Sequence, residues 1–183
     1  MQIFSHTLGL ARTNVYIVAD TESGDAVVID PVDDAPLIYK TAQDNNLTIK
    51  LILATHGHFD HVLASAPLKE MTDAPFYIHE DAQPFLDRLP QTGVSFTGNP
   101  FPKAAIPDRY LTTESETIEV GKLRFETLYT PGHAPGHISF FMPDENTLFS
   151  GDSLFASSVG RTDLPGGDHD LLMRSIVDKL LPL

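Results

Sequence analysis

Thr55-His56-Gly57-His58-Phe59-Asp60-His61 packs three histidines and a carboxylate into a short stretch. Such a cluster is costly unless something binds it, and neutral imidazole and carboxylate are ligands that zinc, iron and manganese accept. The preceding residues 48–54 are aliphatic and β-branched and predict a buried strand, while residues 61–71 carry Val62, Leu63, Ala66 and Leu68 at helical spacing. The cluster therefore falls on a strand-to-helix loop at the carboxyl end of a strand, where α/β sheets place their sites. Extended backbone points alternate side chains the same way, so His56 and His58 can share one ion. Asp60 and His61, where the chain turns into the helix, can face a second ion nearby.

The rest of the chain suits a globular setting for this loop. Its 183 residues are 42% hydrophobic and 20% charged, enough for one domain with a core. The absence of cysteine excludes disulfides and thiolate ligands, so a metal site must be built from nitrogen and oxygen. A net charge of −13 argues against a nucleic-acid surface, which needs a basic stripe. No run is long and apolar enough to span a bilayer, and Met1-Gln2-Ile3-Phe4-Ser5 lacks a basic, apolar leader, so a soluble cytoplasmic protein is expected.

Upstream, residues 2–7, 14–19 and 26–30 read as strands and 34–46 as a helix with Leu37, Ile38 and Ala42 on one face. Asp30, ahead of Pro31, has two readings: a carboxylate that orients a ligand histidine, or a turn former. Downstream, residues 75–79 read as a strand ending in a near-surface His79, and 80–89 as a short helix. Residues 90–108 form a long Pro/Gly-bearing loop with Phe96 and Phe101, favoured as a substrate-facing flap. Four strands follow, at 117–120, 123–129, 138–142 and 147–150, and then an amphipathic helix at 171–181. This strand-rich then helix-bearing order, given twice, fits two sheets packed face to face with helices outside.

Two further segments bring candidate ligands. Thr130-Pro131-Gly132-His133-Ala134-Pro135-Gly136-His137 is a turn between strands, with His133 the candidate ligand and His137 a hydrogen-bonding residue. Phe149-Ser150-Gly151-Asp152-Ser153 sets Asp152 at a strand end, where a carboxylate can bridge two cations.

In this order and spacing the three segments resemble the metallo-β-lactamase superfamily. Gly160-Arg161-Thr162-Asp163-Leu164-Pro165-Gly166-Gly167-Asp168 resembles its glyoxalase II-like branch, the hydroxyacylglutathione hydrolases. The resemblance covers essentially the whole chain and implies an α/β, four-layer αββα sandwich over residues 1–183. It also implies two divalent metal ions, zinc first, with iron or manganese as alternatives. His56, His58 and His133 would hold one, Asp60 and His61 the other, and Asp152 would bridge both. In the family the second metal gains a further histidine from a Gly-His loop after the last helix. None occurs here before Leu183, so the expectation is a C-terminally truncated domain lacking its final strand and helix.

The implied activity is hydrolysis of a small-molecule thioester, S-lactoylglutathione or a related acyl thioester, by a metal-bound hydroxide that Asp60 orients. Arg161 is a candidate for pairing with a substrate carboxylate, with an ion pair to Asp163 as the equal alternative. A mononuclear-iron persulfide dioxygenase resembles the same motifs, with His56, His133 and Asp152 as its facial triad. Lactone or other ester hydrolysis is a third reading, and a metal-stabilised binding domain without turnover is the non-enzymatic one.

Overall fold

Alternation in residues 13–29 divides the molecule into layers. Along β2 (Thr13–Ala19) and β3 (Asp25–Ile29), successive side chains point to opposite faces, and both faces are buried. Val15, Ile17, Ala19, Ala26 and Val28 join one core, and Val18, Val27 and Ile29 another. A sheet that is apolar on both sides needs a cover on each. In the computed structural model, which describes residues 1–183, helices cover one face and a second sheet the other.

The first sheet runs β1 (Gln2–Leu8), β2, β3, β4 (Thr48–Leu53), β5 (Phe76–His79), β6 (Arg109–Leu111) in sequence order. β1 to β3 are antiparallel neighbours, and β3 to β6 run parallel. That parallel set delivers the chain after β3, β4 and β5 to the same end of the sheet. The β3–β4 register slips at Lys50, so that Ala26 faces Ile49 but Val27 faces Leu51. The slip moves Leu51 and Leu53 onto the inter-sheet side, while Ile49 and Ile52 meet the helices.

The second sheet is antiparallel, in the order β10 (Thr147–Phe149), β9 (Ile138–Met142), β8 (Leu123–Tyr129), β7 (Thr117–Val120). Its Phe125, Ile138, Phe140 and Phe149 interleave with Val27, Ile29, Leu51 and Leu53 from the first sheet. Burying each such side chain contributes roughly 1.5–3 kcal/mol. On the outer face of the first sheet lie α1 (Ala35–Asp44) and α3 (Ser65–Thr72). Asp34 caps α1 by accepting the Leu37 amide, and Ala35, Ile38 and Ala42 point inward. Across the second sheet, α6 (His169–Ser175) continues as a wider turn over Ile176–Leu180 and sets Leu172, Ile176 and Leu180 against Leu128 and Leu148. The layers are αββα, as the resemblance implies. No helix is long and apolar enough to cross a membrane.

Four local expectations change. The helix over 61–71 is two, α2 (Phe59–Val62) and α3, because Pro67 has no amide to donate and its ring crowds the Leu63 carbonyl. The Ala64 amide turns instead to the Pro31 carbonyl at 2.9 Å. The helix over 80–89 is a single 3₁₀ turn at Glu80–Ala82 followed by α4 (Gln83–Asp87). The long loop is half helix: α5 spans Leu89–Thr97, with Pro90 in its first turn and Gly98 closing it at φ 79°. His79 ends β5 but is buried, its ring stacked on Tyr129 at 5.0 Å.

Candidate metal centre

Three loops meet at one end of the sandwich: the one after β4, the one between β8 and β9, and the one after β10. The Ile138 amide donates to the Thr55 carbonyl at 2.8 Å, tying the two sheets together beside the histidines.

His56, His58 and His133 turn ring nitrogens on one another. His58 Nδ1 lies 3.0 Å from His56 Nε2 and 2.9 Å from His133 Nε2. The far nitrogens of the two outer rings are engaged: His133 Nδ1 donates to the Arg161 carbonyl at 2.8 Å, and His56 Nδ1 lies 3.1 Å from the Thr55 hydroxyl. With their protons committed there, both Nε2 atoms are bare lone pairs, and one His58 proton can satisfy only one of them. Burial pushes His56 well below its ordinary value, with His61 and the other rings adding to it. Burial and the neighbouring His133 and His61 bring His58 down to about 4. Three ring nitrogens gathered within 4.8 Å of one another are the donor set a cation takes.

A second group, His56, His61 and Asp152, shares that edge, with donor atoms within 4.8 Å of one another. His61 Nδ1 donates to Asp30 Oδ2 at 2.9 Å, which leaves Nε2 buried without a hydrogen bond. That orphaned atom lies 3.3 Å from Asp152 Oδ1 and 3.6 Å from Asp60 Oδ2. Burial lowers the His61 pKa, but Asp30 and Asp152 outweigh it and hold the ring well above its ordinary value. Asp152 stands between the groups, its other oxygen 3.6 Å from His133 Nε2. Although burial raises it, the neighbouring His61 ring at 3.3 Å holds Asp152 at about 2. Both groups fit divalent cations: one offers only imidazole nitrogen, the other mixes imidazole with carboxylate.

The surrounding residues fix these donors. Asp30, at φ 54°, both ends its strand and orients a histidine, its carboxylate also taking the Thr55 amide at 2.7 Å and the Thr55 hydroxyl at 2.9 Å. Buried His137, pushed down to about 3 chiefly by burial, accepts the Asp152 amide at 3.2 Å. A side chain at Gly151 would strike that ring, and one at Gly160 would meet the Asp152 carbonyl at 1.8 Å. A side chain at Gly132 would overlap the backbone of Leu172 in α6. The α6 segment also binds this loop through Asp168 N to Gly132 O at 2.8 Å and Ser175 Oγ to Pro131 O at 2.7 Å.

All the donors except the fully buried His56 line a cavity of about 1100 Å³. Its apolar wall includes Phe59, Phe85, Leu89, Phe96 and Phe155, and Phe85 stands edge-on to His58 at 5.4 Å. From the expected flap, Phe96 lines the cavity, whereas Phe101 stacks on Phe59 at 5.2 Å. Arg161 lines it too, with its guanidinium paired to both Asp163 oxygens at 2.7 Å. Thr13 escaped the sequence reading: its hydroxyl donates to Asp60 Oδ2 at 2.5 Å, across 47 residues of chain that no local pattern spans.

Residues 8–182 match the family described as the metallo-beta-lactamase superfamily. The chain belongs to it. Within the superfamily, the chain is 38% identical to hydroxyacylglutathione hydrolase GloC of Haemophilus influenzae, over 94% of this chain and 81% of the relative. Among solved structures, BLEG-1 B3 metallo-beta-lactamase superposes with a TM-score of 0.92 at 38% identity, covering 100% of this chain and 87% of that one. TTHA1623, solved in a di-iron-bound form, gives 0.86 at 40% identity, covering 98% and 86%. Superfamily membership and the two donor groups together imply divalent metal chemistry at this site.

Proposed function

We propose that this chain is a metal-dependent hydrolase of thioesters, glyoxalase II-like, acting on S-lactoylglutathione or a related acyl thioester. The observation that carries the reading is a pair of adjoining donor groups sharing His56, with Asp152 between them, beside an open cavity that His58, His61, His133 and Asp152 line. Likeness to a hydroxyacylglutathione hydrolase supports it. His56, His58 and His133 would hold one ion, Asp60 and His61 the second, and Asp152 would bridge them. All-nitrogen-and-oxygen donors suit zinc, with iron the alternative. When bound, the pair supplies Lewis acidity and a nucleophile at neutral pH.

The chain's own residues do the rest. Thr13 occupies Asp60 Oδ2, which leaves Oδ1 to orient a water and hold its proton. His133 and His61 are locked in one tautomer by the Arg161 carbonyl and Asp30, so no reorganisation is needed at the donor atoms. The aromatic wall beside His58 excludes water from one side of the acyl group. Thiolate is a good leaving group, so no dedicated acid is required.

The test is loss of thioester absorbance from S-D-lactoylglutathione with protein loaded with zinc or iron, its metal content measured by elemental analysis. Turnover that is lost on chelation supports the reading. Oxygen consumption with glutathione persulfide, or cleavage of a chromogenic β-lactam, without thioester loss would overturn it.

A further inference from the structure

The cavity's outer wall contradicts the charge of the molecule. The chain carries 25 acidic residues against 12 basic ones. Yet the only acids lining the cavity are Asp30, Asp60 and Asp152, all engaged at the donor groups. The wall beyond them carries three arginines, Arg12, Arg88 and Arg161, and no lysine. Seven of the 12 cationic side chains are paired with carboxylates, Arg161 among them. Arg12 and Arg88 are not, and both are exposed to the cavity.

We propose that Arg12 and Arg88 form a carboxylate-recognition subsite on this wall, so that the chain selects thioesters bearing a free carboxylate over neutral ones. The proposal rests on the thioesterase reading and adds the chemistry of the substrate. Two separate elements deliver the cations. Arg12 sits in the β1–β2 turn at φ 57°, a left-handed conformation that a side-chain-bearing residue adopts at a cost, and it adjoins the Thr13 that holds Asp60. Arg88 opens α5, whose Gln91, Thr92, Ser95 and Phe96 follow on the cavity side at helical spacing. A guanidinium binds carboxylate through two parallel N–H donors, and a cavity with low-dielectric walls concentrates its field. With a net charge of −13 the molecule as a whole repels anions, so cations on the cavity wall give an anionic substrate attraction beside the donor groups. The carboxylate can come from the thiol side, as in glutathione, or from the acyl side, as in a dicarboxylic acyl group.

Two substrate pairs separate these sources: S-lactoylglutathione with its diethyl ester, and succinyl with butyryl thioesters of N-acetylcysteamine. The readout is the ratio of kcat/KM, charged over neutral. In the wild type one pair should show a ratio of about ten or more, shrinking with added salt. Arg12→Gln with Arg88→Gln should bring that ratio toward one, while Arg174→Gln, an exposed arginine outside the cavity, should leave it unchanged. Ratios near one for both pairs in the wild type, or a ratio unmoved by the double change, would overturn the proposal. The same comparison by calorimetry, with the corresponding non-hydrolysable thioethers, keeps the two readings apart. Charge-selective binding lost in the double variant, with no turnover of any thioester, sinks the hydrolase and keeps the subsite. Turnover without charge selectivity does the reverse.

Discussion

Each end of the first sheet buries an aspartate just past a strand, and the two are used in opposite ways. Asp20, after β2, accepts the amides of Glu22 at 2.9 Å and Lys122 at 3.1 Å and the Ser23 hydroxyl at 2.9 Å. Every partner is a simple donor, and Lys122 belongs to the β7–β8 turn, so the carboxylate fastens one sheet to the other. Asp30, after β3, also takes an amide and a hydroxyl, but its third partner is the His61 ring, whose other nitrogen is left buried and unmet. One end of the sheet closes every valence, whereas the other keeps one open for a cation. The pair shows how the same residue at the same kind of strand end becomes a fastener or a site, depending on what its partner does next.

The strongest way to press on the open end is through turnover. Asp60→Ala should lower kcat by about 10²–10⁴-fold and weaken the second metal while the three-imidazole site keeps its own, measured by thioester absorbance and elemental analysis; near-wild-type turnover would remove Asp60 from the chemistry. Asp30→Asn should weaken one metal by about 10–100-fold in chelator competition, because His61 loses the acceptor that fixes its ring. Asp20→Asn should leave both metal affinities unchanged, and if the two variants behave alike the contrast collapses. Thr13→Val should cost kcat about 5–10-fold, the size of one hydrogen bond, with Thr13→Ser restoring most of it.

The smallest effect belongs to the closed end. The Glu22 and Lys122 amides hold the Asp20 carboxyl at about 2, below its ordinary value. A carboxylate depressed on folding stabilises above its unfolded pKa and stops doing so as pH falls through the folded one. In metal-free protein, the melting-temperature gap between wild type and Asp20→Asn should therefore be constant above about pH 4 and close toward pH 2. A gap that widens on acidification would mean that the carboxylate is not the fastener.

The sequence displays the layers and most donors because their signals are local. Period-two burial in β2 and β3 and the His56–His61 run each fit within one element. What it hides depends on distance or on competing cues. Pro90 and Gly98 bracket α5 as helix signals, but Gly93 between them reads as a loop, when its lack of a side chain in fact admits the Phe101 backbone. The break after α2 follows from Pro67 once the preceding carbonyl is considered. Asp30 has two readings from the sequence, and a contact between remote segments decides that it orients a histidine and that the histidine is His61. Thr13 holding Asp60 and the lack of a carboxylate partner at Arg12 and Arg88 are likewise decided between remote segments, which spacing does not encode.

The contact of Gly132 with α6 also sets an order of assembly. The three-imidazole group draws two donors from residues 56–58 and the third from a loop clasped by residues 168–175, well beyond it in the chain. A nascent chain holding His56, His58 and His133 still lacks the helix that seats the third ring. The all-imidazole cation site therefore comes into being only once α6 has docked, and metal capture acts as a seal on that packing.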